Sequence, residues 1–171
     1  IYLFVGSLVA IIGLLVVYFQ AGATFDFVKL QQGVLALSPE RFEQIKPWFI
    51  AIFIGFGVLA SIWPLHNWSP DGYAAAPTAV SMLHGGVLKA TGAYAALRFG
   101  VQLMPEAAQY YLPVIVFLCL ANVIYAGLIA FRQTDLKYII GFSSVAHLGL
   151  VLLGIASLNE LGLNGAGLEL F

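Results

Sequence analysis

An all-α, polytopic transmembrane helix bundle with one interrupted helix is the fold class that the sequence predicts, and three observations predict it. Apolar residues make up 61% of the 171-residue chain and charged residues 9%, against about 45–50% and about 25% in an ordinary soluble domain. A water-soluble fold of this size cannot hide that much apolar surface. Uncharged runs recur close to the roughly 20 residues that a bilayer helix needs, without the stripe of a soluble helix or the alternation of a β-barrel. The lipid bilayer is therefore the first expected partner. A formal net charge of −1 excludes the concentrated basic patch of a nucleic-acid footprint. The lone Cys119 excludes an intramolecular disulfide and a multi-cysteine zinc site.

Residues 1–19 form the first apolar helix, without the basic flank of a signal peptide. Residues 20–46 carry Asp26, Lys29, Glu40, Arg41, Glu43 and Lys46 and read as a solvated loop. Pro47 opens a helix over 48–63, as proline suits a first helical position. The stretch PLHNWSPDGYAAAP, 64–77, holds three prolines and a glycine and interrupts that helix. Further helices are expected over 78–99, 110–131 and 136–158, the last capped by Asp135. Five passes result, and we read residues 1–171 as a fragment of one transmembrane domain of a longer protein. Positive charge alone places the side holding Lys29, Arg41, Lys46 and Arg98 in the cytoplasm.

Ionisable residues inside such runs are functional candidates. Lys89 lies midway along the 78–99 run, where an ammonium costs roughly 2.5–3.5 kcal/mol; a proton-exchanging lysine is expected, against one that snorkels to the interface. Small residues around it, Gly85, Gly86, Ala90, Gly92 and Ala93, allow close helix approach. His84 is five residues away, about 140° around the helix, and reads equally as relay member or packing histidine. Ser143, Ser144 and His147 share a helical face, suited to passing a proton or to gluing helices. His66, with Asn67, Trp68 and Asp71, lies where a hinge, a water pocket or a tight reversal is expected. Lys137 reads as an interfacial anchor and Asn122 as an interhelical hydrogen-bonder. The sequon Asn67-Trp68-Ser69, followed by Pro70, and the glycine-rich run 162–167 carry little.

The string PLHNWSPDGYAAAPTAVSMLHGGVLKATGAYAALRF and the later RQTDLKYIIGFSSVAHLGLVLLGIASL resemble the antiporter-like, proton-translocating membrane subunits of respiratory complex I, NADH:quinone oxidoreductase. The match is nearest to the chain M, or mitochondrial subunit 4, type, and His147 in SSVAHLG favours that type or the N type over the L type. The resemblance implies part of a larger antiporter-like proton channel, with Lys89 and His147 on its polar axis; His84, His66, Ser143, Ser144, Asp71 and Lys137 remain, from their positions in the sequence, possible relay or helix-break residues. It implies coupling of quinone reduction to proton transfer, with no cofactor in this chain and with NADH, flavin, iron–sulfur clusters and quinone in partner subunits. Neighbouring antiporter-like subunits are implied as partners. A bacterial or archaeal cell membrane is the implied location, with an organellar inner membrane or thylakoid as alternatives. The family places the link from Arg132 to Lys137 in the cytoplasm, opposite to the charge count. Two departures stand out: Leu59 occupies the position of the family's interrupted-helix lysine, and an ungapped alignment puts the next helix's lysine at Ala90, one residue after Lys89. Related readings are a subunit of a multisubunit sodium/proton antiporter or membrane-bound hydrogenase, and a homologue that no longer pumps.

Overall fold

The computed structural model describes residues 1–170, and every regular element among them is helical. Helix α1 (Tyr2–Gln20) carries no charge and rises about 28 Å, the thickness of a hydrocarbon core. Its small residues Gly6, Ala10 and Gly13 are buried against α4 (Trp48–Leu59). A Cβ placed on Gly55 of α4 would lie 2.7 Å from the Ala10 Cβ, so backbone approaches backbone here.

The solvated loop expected over 20–46 is corrected by two short helices, α2 (Phe27–Leu35) and α3 (Pro39–Ile45). Of the mixed charges that suggested a loop, Lys29, Glu40, Arg41 and Glu43 lie on the exposed faces of these helices, while Asp26 and Lys46 flank them. Val34 and Ile45 are buried beneath them, and Lys46 pairs with Glu43 at 2.9 Å while lying 3.7 Å over the Tyr110 ring. The Asp26 carboxylate caps α2 by accepting from the Val28 amide at 3.0 Å. Helix α3 leads into α4, so 39–59 forms one apolar stretch long enough to cross a membrane.

Helix α4 stops at Leu59, and Ser61 takes φ 66°. The chain then runs irregularly into α5 (Trp68–Ala75). Trp68 Nε1 donates to the Val58 carbonyl at 2.9 Å, meeting one of the acceptors freed by the break. Residues 78–101 continue as α6 (Thr78–Leu83), a π-helical turn (His84–Leu88), α7 (Lys89–Ala95) and a second π-helical turn (Ala96–Val101). Helices α8 (Pro105–Ala130) and α9 (Leu136–Ala156) are both membrane-length. Asp135 caps α9 by accepting from the Lys137 amide at 2.8 Å. A tenth helix, α10 (Glu160–Leu170), folds back on α9 and takes in the glycine-rich run.

Helix α9 is the hub, packing on α8, α5 and α10. Buried Asn122 of α8 donates Nδ2 to the Val145 carbonyl of α9 at 2.9 Å, the interhelical role its sequence position suggests. Bonds of this kind contribute about 0.6–1.7 kcal/mol within a membrane. Asn122→Ala should therefore lower thermal stability by that amount while the protein still assembles, measured as a small downward shift in the melting curve of the detergent-solubilised complex. Outward faces of α1 and α8 are apolar, with Phe4, Ile11, Phe117 and Leu128 exposed. A bilayer or further helices would cover them.

Candidate functional site

The most deeply buried charge-bearing side chain opens α7. Lys89 is 0% exposed and shares its inward face with Gly92, Ala93 and Ala96. Gly92 brings that face against the broken end of α4: a Cβ there would sit 2.6 Å from the Ala60 nitrogen and 2.8 Å from the Leu59 Cβ. The π turn of His84–Leu88 immediately precedes Lys89. Such a turn closes over one more residue than an α turn, which rotates α6 relative to α7. In this register Lys89, with Ala90 only half-buried beside it, is the residue that points inward.

Three elements supply the surroundings of the lysine. Lys89 Nζ donates to Ser144 Oγ of α9 at 2.8 Å, and the same oxygen lies 3.3 Å from the Tyr73 hydroxyl of α5. Nζ also sits 4.8 Å from the centre of the Tyr73 ring, where a cation meets the negative face of the aromatic. Among the described residues no carboxylate pairs with Lys89. Hydroxyls both donate and accept, so Lys89, Ser144 and Tyr73 form a continuous hydrogen-bonded chain linking the three helices. An ammonium held there has hydrogen-bond partners but no counter-charge, and holding it charged is costly.

The remaining sequence candidates fall into separate settings. His147, one turn beyond Ser144, turns away from Lys89 and pairs through Nδ1 with Glu169 of α10. Ser143 and His147 line an outward-facing cavity of about 280 Å³ with Gly127, Ala146 and Leu150. The face that carries Ser143, Ser144 and His147 is thus divided between two sites, and no hydrogen bond joins Lys89 to His147 among the described residues. His66 is buried at the break, edge-on to Tyr125 and Phe142, and neither ring nitrogen meets a partner in good geometry. His84 stands edge-on to Trp68 at 6.2 Å, away from the lysine chain.

Lys137, read from the sequence as an interfacial anchor, also caps a helix. Its Nζ donates to the carbonyls of Ala76 at 2.9 Å and Ala74 at 3.5 Å, closing the C-terminal end of α5, where a cation is favoured by the exposed carbonyls. Asp71 accepts from the Tyr138 hydroxyl at 3.4 Å and so helps dock α5 on α9. A Cβ on Gly141 would lie 2.8 Å from the Pro70 Cα, which explains how closely the two helices meet. Two participants escaped the sequence reading. Tyr73 sits among the small and polar residues of the break, and Glu169 is an acidic residue in an apolar-leaning run; the rule that singled out Lys89 applies equally to Glu169.

Comparison with known proteins identifies the family and the fold. The family described as "NADH:quinone oxidoreductase/Mrp antiporter, TM" matches residues 1–171. NAD(P)H-quinone oxidoreductase chain 4 2 of Thermosynechococcus vestitus is 42% identical over 171 residues, covering 99% of this chain and 31% of that one. Respiratory complex I from Thermus thermophilus with bound NADH superposes with TM-score 0.84 at 25% identity, over 96% of this chain and 34% of that one. The Mrp complex from Dietzia sp. DQ12-45-1b shares the fold, with TM-score 0.85 at 22% identity, over 99% of this chain and 30% of that one. This chain spans about three tenths of the length of the curated relatives it matches. Apolar helices of membrane length, a buried lysine at a broken helix and a family match over the whole sequence agree: the chain belongs to the NADH:quinone oxidoreductase/Mrp antiporter transmembrane family, and it is an integral membrane protein.

Proposed function

We propose that this chain belongs to the proton-translocating membrane subunit of an NAD(P)H:quinone oxidoreductase, of the chain 4 type. The observation that carries the reading is Lys89, fully buried, with no carboxylate partner among the described residues, and hydrogen-bonded across helices to Ser144 and on to Tyr73. A lysine so placed can release and retake a proton through hydroxyls and water, and it has no other evident use at that depth. Lys89 is the central relay group; Ser144 and Tyr73 extend it; His147 serves a separate stretch of the path. His66, His84, Asp71 and Lys137 support the helix break and its docking, and Ser143 lies beside His147. Electron transfer from NADH through flavin and iron–sulfur clusters to quinone takes place in partner subunits, and this chain converts the energy released there into proton movement. Other membrane subunits, antiporter-like neighbours among them, are its partners. The cyanobacterial relatives fit a bacterial cell membrane or a thylakoid.

The test is to purify the protein whole from its native membrane in mild detergent, identify every co-purifying subunit by mass spectrometry and reconstitute the assembly in sealed vesicles. Flavin and iron–sulfur subunits are expected, together with proton translocation driven by quinone reduction. Recovery of small membrane subunits alone, with sodium-driven proton flux and no electron donor, would assign the protein to the multisubunit antiporters instead.

A further inference from the structure

A second ionisable pair lies apart from the lysine chain. His147 is the twelfth of the 21 residues of α9, about 16 Å along the helix and so near the middle of its span. Glu169 of α10 meets its Nδ1 there. The pairing is fixed by close helix contact: a Cβ on Gly154 of α9 would lie 2.8 Å from the Gly162 carbonyl and 3.0 Å from the Ala166 Cβ of α10. A carboxylate and an imidazole at that depth are costly unless each supports the other or both are used. Lys89 is sealed in the core, whereas the His147 and Glu169 side chains are 60% and 39% exposed on this chain. Beside His147, Ser143 contributes a hydroxyl to the wall of the outward-facing cavity.

Resting on the proton-translocation reading above, we infer that Glu169 is a proton-relay residue that works through His147. Its carboxylate accepts the Nδ1–H of the neutral imidazole, which fixes the tautomer and leaves Nε2 free to accept a proton. When a proton arrives at Nε2, the Nδ1–H bond breaks and that proton passes to Glu169 Oε1. The imidazole stays neutral with its tautomer exchanged, and the carboxylate becomes a neutral carboxylic acid. One proton enters, one moves on, and no electron changes place. Loss of the carboxylic proton on the far side, and water-mediated return of the imidazole proton from Nε2 to Nδ1, reset the pair.

The test uses the whole complex in sealed vesicles, with translocation driven by quinone reduction and normalised to assembled complex. Glu169→Gln keeps the size of the side chain and an acceptor for Nδ1–H but cannot take up a proton. It should lower translocation about tenfold or more, and Glu169→Asp should restore most of it. Infrared difference spectra should show a protonated carboxyl band during turnover that Glu169→Gln removes. Lys89→Met is run in parallel. Wild-type translocation in Glu169→Gln while Lys89→Met has lost it overturns the role of Glu169 and leaves the proton-translocation reading standing. Equal loss in Glu169→Gln and Glu169→Asp, with the carboxyl band absent from the wild type, makes the residue purely structural and overturns the inference. Wild-type behaviour in Lys89→Met overturns the reading on which it rests.

Discussion

Lys89→Met should leave the protein assembled and abolish the proposed proton translocation driven by quinone reduction. Methionine matches the length and flexibility of the lysine stem and fills the same space beside Gly92 and Tyr73, so packing changes little. What disappears is the only group in the chain Lys89, Ser144, Tyr73 that can carry a full positive charge and release it. Loss of a positioned proton-transfer group costs about 100-fold or more, a collapse rather than a decrement. Lys89→Arg separates two explanations. Its guanidinium keeps the positive charge and the donors but cannot be deprotonated in a protein. If Lys89 works by exchanging a proton, the arginine variant fails as completely as methionine; if a fixed charge suffices, it retains activity. Ser144→Ala removes one acceptor and should be milder, about tenfold, on the order of the 1–3 kcal/mol that an orphaned buried donor costs. All three are measured as acidification of sealed vesicles at matched complex content. Full translocation in Lys89→Met would remove this lysine from the path.

The sequence disclosed the membrane helices because nothing else accommodates uncharged runs of bilayer length, and it disclosed Lys89 because a lysine in such a run is conspicuous. Helices α2 and α3 were missed for the converse reason. Their charges are spread along the sequence, and only Phe27, Leu30 and Val34 at helical spacing, with Asp26 as cap, distinguish α2 from a loop. The partners of Lys89 could not be read at all. Ser144 and Tyr73 lie 55 and 16 positions away in sequence, and which face of α9 turns toward α7 is decided by the contact of Gly141 with Pro70 and by the cap Lys137 places on α5. The grouping of Ser143, Ser144 and His147 failed on geometry. Residues one turn apart share a broad face, but three neighbouring helices divide it, so Ser144 and His147 serve different elements. The inward register of Lys89 was equally hidden, since a π turn leaves no signature in a run of small residues.

Gly92 offers the sharpest test that the broken helix and the lysine helix are one mechanical unit. A single methyl at Gly92 would press on the Ala60 nitrogen at 2.6 Å and on the Leu59 backbone carbon at 2.9 Å. These are backbone atoms at the end of α4, which cannot rotate away as a flexible side chain would. Gly92→Ala should therefore destabilise by about 1–3 kcal/mol, the usual cost of overpacking, even though alanine is intrinsically the better helix former. Gly92→Leu should prevent assembly. Because Gly92 stands one turn from Lys89 on the same face, the alanine variant also moves Nζ away from Ser144. Translocation per assembled complex should fall several-fold, beyond any loss of complex. Gly86 is the control, since a Cβ there meets nothing within 4 Å. Gly86→Ala should leave both assembly and translocation at the wild-type level. Melting curves of the solubilised complex and vesicle acidification, measured on both variants, decide the matter. Equal behaviour of Gly92→Ala and Gly86→Ala would mean that contact between α7 and the α4 break does not set the position of the lysine.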